Sequence, residues 1–186
     1  MLKLMQIGAG RCCIVYSGSA VRDGSLVALK IFKHGENYEG ALQREQYVLD
    51  SFKGTQHNIV QCYGYLMYRG YHCLVLELLD TNIRQVCMKT RICTSFEQFQ
   101  IIYQNNRQGL SAWMISKFAK DLFISLKSLH EECLVHADLK PANVLWSPQD
   151  GVFKCIDFGL SFNTEEDDLH QIQSTGRLKS RTEEIL

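Results

Sequence analysis

The sequence carries no net charge: its 186 residues include 20 basic and 20 acidic side chains. That removes the electrostatic argument for a nucleic-acid or anionic-membrane partner, although a phosphate can still be held by local charge. No RNP-like aromatic motif is present either, so direct nucleic-acid binding is not expected. No run approaches the roughly 18 apolar residues of a membrane helix, so no membrane association is expected. The eight cysteines contain no Cys-x-x-Cys pair, and Cys12 and Cys13 are adjacent. Met1–Gly10 is a short apolar stretch ending in a Gly-rich turn, so no secretory leader is expected. The cysteines therefore read as free thiols in a reducing compartment, and the chain as a soluble, intracellular protein. There is no internal repeat and no Lys/Arg-rich cluster. What is present is ordinary for a globular fold, 46% hydrophobic and 22% charged residues, enough for one domain or one domain and a fragment.

The first third reads as β-rich. Leu2–Ile7 alternates loosely before Gly8-Ala9-Gly10 breaks it, and apolar runs follow at Cys13–Ser17 and Leu26–Phe32. Arg22-Asp23-Gly24-Ser25 is a hairpin turn signal between the latter two. Tyr38–Phe52 switches to helical spacing, with Leu42, Tyr47, Val48 and Leu49 as candidate buried positions. Ile59–Met67 and His72–Leu79 read as two more strands joined at Arg69-Gly70. A helix start is expected over Asp80–Val86, and Cys87–Leu110 reads as an irregular insert. Ser111–Glu132 is the clearest helix, with Ser111 as candidate N-cap. Its expected apolar face is Trp113, Ile115, Phe118, Leu122, Ile124, Leu126 and Leu129. Leu134–Trp146 reads as a loop and Val152–Ile156 as a short strand, and beyond Phe162 the chain turns polar and acidic.

Four segments carry chemistry. Gly8-Ala9-Gly10 before Val15 suits a loop whose backbone amides cover phosphates, with Val15 packing on a flat base, although an ordinary hairpin turn fits as well. Val27-Ala28-Leu29-Lys30 ends a strand in a lysine that can hold a phosphate oxygen, provided an acidic partner orients it; Glu45 is the first choice and Glu39 the alternative. In His136-Ala137-Asp138-Leu139-Lys140-Pro141-Ala142-Asn143, Asp138 can accept a hydroxyl proton. Lys140 can reach a transferring phosphate, and the Asn143 amide oxygen can ligate a divalent metal. Asp157-Phe158-Gly159 follows fourteen residues later and supplies the hard carboxylate that magnesium prefers.

In this order the segments resemble the eukaryotic protein kinases, and Lys140-Pro141 resembles the serine/threonine version of the loop. A narrower resemblance runs through Leu76–Asp80, Ser111–Ser116, Val135–Ser147 and Ile156–Phe162. It is to the stathmin-interacting kinases that carry a U2AF-homology domain. The fold so implied is α+β and protein-kinase-like, a five-stranded N-lobe over about 1–79 and a partial helical C-lobe over about 80–176, with a divergent tail at 177–186. The resemblance implies ATP and Mg2+ as cofactors and a protein substrate phosphorylated on serine or threonine.

The same resemblance implies roles by position. Gly8, Ala9, Gly10 and Val15 would cover ATP. Ala28 and Leu145 would sandwich adenine, and the backbone of Glu77 and Leu79 would bind its edge behind Leu76. Lys30, held by Glu45, would bind the α/β-phosphates. Asp138 would be the base, and Asn143 and Asp157 the magnesium ligands. Cys13 stands where most kinases have a third glycine, a departure this subgroup tolerates. Ala137 replaces the usual arginine before the catalytic aspartate, so activity is expected not to require activation-loop phosphorylation. A nuclear location is implied by the resemblance alone. After Gly176 the kinase-like pattern stops without an Ala-Pro-Glu segment. The expectation is chemistry without a full large lobe: weak ATP binding and poor transfer, or alternatively a regulatory fragment that meets a protein partner through exposed C-lobe surface.

Overall fold

A computed structural model describes residues 4–21, 23–54, 57–80 and 112–165. Beyond Asp80, the helix start expected over Asp80–Val86 lies outside these residues, as do the insert at 87–110, the Ser111 cap and the 177–186 tail. Five antiparallel strands form the first layer: β1 (Met5–Ala9), β2 (Cys13–Ser19), β3 (Leu26–Phe32), β4 (Cys62–Tyr68) and β5 (Tyr71–Glu77), in the order β1-β2-β3-β5-β4. Their turns follow from local chemistry. Between β2 and β3, the Asp23 carboxylate accepts from the Ser25 amide at 2.9 Å and from its hydroxyl at 2.7 Å, and Gly24 adopts φ 73°. Between β4 and β5, Arg69 and Gly70 both have positive φ, the requirement of a tight two-residue hairpin.

Helix α1 (Glu36–Ser51) crosses from β3 to the β4 edge and begins two residues before the periodicity suggests. It buries Ala41, Leu42, Glu45, Val48 and Leu49. Tyr47, expected inside, is 47% exposed, because its position turns it off the Leu42–Leu49 stripe. The run expected to be strand from Ile59 pairs with β5 only from Cys62. Ile59 instead bridges in parallel to Cys155.

The second layer contains α2 (Ala112–Glu131), β6 (Leu134–Val135), a 3-10 turn at Pro141–Asn143, β7 (Val144–Ser147), β8 (Val152–Cys155) and β9 (Phe162–Asn163). The apolar face expected for α2 is only half correct. Leu129 is buried, and Phe118, Leu122 and Leu126 pack at the core margin, but Trp113, Ile115 and Ile124 are exposed. The deepest stripe is Met114, Asp121, Ser125, Ser128 and Leu129, and its polar members are satisfied. Asp121 accepts the Phe153 amide at 2.9 Å, and Ser125 donates to the Asn58 carbonyl at 2.7 Å. One continuous apolar core runs from β3, β5 and α1 through Met114 and Leu129 to Phe153 and Phe158, so the two layers meet across a packed seam.

Candidate active site

A cleft of about 800 Å³ opens between the sheet and the β7–β8 pair, a volume suited to a nucleotide-sized ligand. Gly8, Ala9, Gly10 and Val15 of the β1–β2 hairpin line it on one side. Ala28, Lys30 and Leu76 come from the sheet, and Glu77, Leu78 and Leu79 from the segment leaving β5. Asn143, Leu145 and Asp157 line the other side. Every residue singled out above for nucleotide or metal thus lies on one surface. Val60, Ile156, Ala142 and Cys13 share it, and no motif pointed to the first three as lining residues. A separate cavity beside α1, lined by Phe32, Tyr38, Leu42 and His72, holds about 20 Å³, room for a water only.

The strand register explains the roof. Gly8 pairs with Val15 across β1–β2, and Val15 pairs with Lys30 across β2–β3. Neither Gly8 nor Gly10 has positive φ, and a Cβ on either would meet only ordinary contacts at 3.7 Å or more. The hairpin therefore does not itself require these glycines. Their bare backbone matters to what enters the cleft.

At the back, Lys30 Nζ lies 2.7 and 2.5 Å from the two Glu45 oxygens and 2.8 Å from Asp157 Oδ1. This decides between the two glutamates, since Glu39 is exposed. Burial alone would depress the Lys30 pKa, but the Glu45 and Asp157 charges outweigh it and raise it, so the ammonium is kept. Full burial raises the Glu45 carboxyl despite Lys30. Asp157 feels burial in the same sense, yet the Lys30 charge and hydrogen bond bring it below the usual carboxylate range. Asp157 adopts φ 65°, a left-handed conformation costing on the order of 1 kcal/mol that its surroundings must hold.

The loop after β6 places the remaining candidates. Asp138 and Lys140 are not on the cleft wall, but they adjoin it through Asn143. Asn143 Nδ2 donates to the Asp138 carbonyl at 2.9 Å and to its Oδ2 at 3.1 Å, and Lys140 Nζ donates to the same Oδ2 at 2.6 Å. With Nδ2 engaged, Oδ1 remains as the Asn143 acceptor. His136, buried, bridges this loop to the strand before Asp157. Its Nδ1 accepts the Asp138 amide at 3.3 Å and its Nε2 meets the Ile156 carbonyl at 3.1 Å, a pattern that fits the neutral ring. Burial pushes the His136 pKa down, against the Ile156 carbonyl, which favours the proton. Its ring lies 4.9 Å from that of the fully buried Phe158.

Two features escaped the motif reading. The Glu77 side chain is buried and clamped by Lys154, whose Nζ reaches both carboxylate oxygens at 2.8 Å. Lys154 in β8 lies opposite Leu145 in β7. Arg44, next to Glu45, donates from Nε to the Gly159 carbonyl at 2.9 Å. Only the alternation of Lys154 with buried Phe153 and Cys155 hinted at the first; nothing local hinted at the second.

The protein kinase domain profile matches residues 1–179. Serine/threonine-protein kinase Kist of Mus musculus is 36% identical over 143 residues, 74% of this chain and 30% of that protein. The Rattus norvegicus Kist is 37% identical over the same shares. The probable serine/threonine-protein kinase dyrk2 of Dictyostelium discoideum is 30% identical over 173 residues, 90% of this chain and 17% of that protein. A crystal structure of a kinase domain superposes with a TM-score of 0.73 at 20% identity, over 90% of this chain and 53% of its own. The chain therefore spans about 30% of the length of the Kist relatives it matches. With the family profile running through both layers and the cleft between them, this chain belongs to the protein kinase domain family.

Proposed function

We propose that this chain forms the nucleotide-binding and catalytic part of a protein serine/threonine kinase, moving the terminal phosphoryl group of ATP to a hydroxyl of a protein substrate. The observation that carries this reading is the Lys30 ammonium, held between Glu45 and Asp157 on the wall of a nucleotide-sized cleft. Residues 1–79 and 80–176 are the two lobes in this reading, and a nuclear site of action rests on the resemblance alone.

Each residue acts through a stated group. Gly8, Ala9 and Gly10 offer backbone amides to the phosphates, and Val15, Ala28 and Leu145 enclose the adenine. The Glu77 amide is already committed to the Gln61 carbonyl at 3.0 Å, so the Glu77 carbonyl and the Leu79 amide bind the base edge. Lys30 neutralises the α/β-phosphates. Asp138 accepts the hydroxyl proton, and Lys140 stands by the transferred group. Asn143 Oδ1 and the Asp157 carboxylate, two hard oxygen donors, suit Mg2+. When bound, the ion neutralises phosphate charge as the phosphoryl group moves.

The exposed Trp113, Ile115 and Phe123 on α2 favour a second reading, an impaired ATP-binding fragment that acts through a protein partner. A thermal-shift titration with Mg-ATP and a radiolabel transfer assay separate the two. Transfer abolished by Asp138→Asn supports the first. Binding without transfer supports the second, and the absence of any shift at saturating Mg-ATP refutes both.

A further inference from the structure

Helix α1 does more than present Glu45. One face of it lies along the chain from Asp157 to Asn163. The Ala41 Cβ sits so close to Gly159 that a Cβ there would lie 3.4 Å away. Arg44 Nε donates to the Gly159 carbonyl at 2.9 Å, and the Tyr47 hydroxyl accepts from Asn163 Nδ2 at 3.3 Å. Positions 41, 44 and 47 follow helical spacing, so the three contacts form one strip.

Gly40 has its own place in this strip. A glycine inside a helix is unfavourable and calls for a reason. Here a Cβ at Gly40 would lie 3.2 Å from Arg44 Nη1, so the guanidinium that bonds Gly159 would have to shift by a few tenths of an ångström. The helix gives up a side chain where Arg44 needs room.

The consequence concerns Asp157. Its carboxylate is held on one side by Lys30, which Glu45 holds in turn. On the other side, two residues on, Gly159 is held by Arg44. Adjacent residues of one helix therefore grip both ends of Asp157-Phe158-Gly159, and Asp157 itself occupies a left-handed conformation that needs such support. Ala137, beside Asp138, carries only a methyl group and offers this segment no side-chain hydrogen bond. We propose that Arg44 is a positioning residue, with Gly40 as its clearance, that fixes the Gly159 carbonyl and thereby aims the Asp157 carboxylate into the cleft. The inference rests on the reading of Asp157 as the metal-side ligand, while the geometry it claims can be tested apart from that reading.

The test uses the full chain and the variants Arg44→Ala, Arg44→Lys and Gly40→Ala. Amide hydrogen exchange is followed in peptides covering 157–165 and in peptides of β3 and β5. Nucleotide binding is measured with ADP in EDTA and with ADP plus Mg2+. For Arg44→Ala, exchange across 158–161 rises on the order of tenfold, as expected for a lost charge-assisted hydrogen bond, with β3 and β5 unchanged. The gain in ADP affinity on adding Mg2+ falls while affinity in EDTA holds. Arg44→Lys recovers part of both effects. Gly40→Ala shows the same signs more weakly, although helix propensity alone would make it protective. Exchange at 158–161 within twofold of the parent in Arg44→Ala overturns the proposal, and so does a rise spread equally over β3 and β5. A parent that binds no ADP defeats the kinase reading but leaves the exchange comparison to decide the role of Arg44.

Discussion

Replacing Lys154 by methionine removes the cation from a buried pair and leaves the Glu77 carboxylate behind. The two side chains are 7% and 9% exposed, and Lys154 Nζ contacts both Glu77 oxygens at 2.8 Å. Breaking such a pair from one side costs about 3–5 kcal/mol, because the remaining charge stays out of water. Glu77 keeps one donor, the Gln61 amide at 2.7 Å, which places the cost near the low end, about 3 kcal/mol. For a chain of this length that corresponds to a melting temperature lower by about 6–12 °C. The reverse variant, Glu77→Gln, costs about 1 kcal/mol. Lys154 still has Asp150 at 2.6 Å, whose side chain is 45% exposed and can be reached by solvent. The double variant Glu77→Gln/Lys154→Met keeps an acceptor for Gln61 and buries no charge, so it recovers to within about 1 kcal/mol of the parent. Urea denaturation of the four proteins gives the cycle. A Lys154→Met loss below about 1 kcal/mol, or a double variant as unstable as the sum of the singles, would refute the reasoning.

Ala28→Leu puts a larger side chain into the cleft that Ala28 lines, so the Mg-ATP thermal shift disappears while the ligand-free melting temperature moves by only a few degrees; calorimetric or fluorescence melts check both. The buried His136 has a folded pKa below its usual 6.5, so the unfolded chain binds the proton more readily. Its contribution is neutral above pH 6.5 and turns unfavourable as pH falls through that value, levelling off below the folded pKa; His136→Asn flattens that part of the stability–pH curve. Ser125→Ala removes a fully buried hydroxyl that donates to the Asn58 carbonyl at 2.7 Å, and costs about 1–2 kcal/mol in urea denaturation, since among the described residues that carbonyl is left with the Cys155 amide at 2.9 Å.

The five-stranded layer was legible because each hairpin advertises itself: Asp23-Gly24 and Arg69-Gly70 punctuate apolar runs of strand length. The cleft residues were legible for a different reason. Phosphoryl transfer demands particular groups at fixed separations, and the order from Lys30 through Asp138 and Asn143 to Asp157 leaves few other readings. Glu45, preferred over Glu39 as the partner of Lys30, is the glutamate that Lys30 reaches from β3. Burial along the helices was less legible. Tyr47 and Trp113 are apolar at helical spacing and yet exposed, while Asp121, Ser125 and Ser128 are polar and yet buried, because what each position faces, not its hydrophobicity, sets its burial.

Those buried polar groups explain how a short strand such as β8 can hold the Asp157 carboxylate at the cleft. Burying a polar atom is unfavourable unless it is hydrogen-bonded, so each one fixes its neighbours in register. The Phe153 amide is held by Asp121 from α2, and the Lys154 side chain by Glu77 from the end of β5. The Cys155 amide donates to the Asn58 carbonyl, and the Cys155 carbonyl accepts from Val60. Three consecutive residues are thus tied to α2, to the end of β5 and to the segment before β4, the last of them two residues before Asp157. The next residue, Ile156, is tied through its amide to Asn143 and through its carbonyl to His136. Asp157 therefore emerges from a strand whose position is set by helix, sheet and the His136–Asn143 loop together. None of these partners lies within thirty residues upstream of it except Asn143 and His136, which belong to the recognised motif. In the proposed reading, the types of the motif residues answer to phosphate and metal. Their placement depends on Asp121, Glu77 and Asn58, whose types are dictated only by what each happens to face.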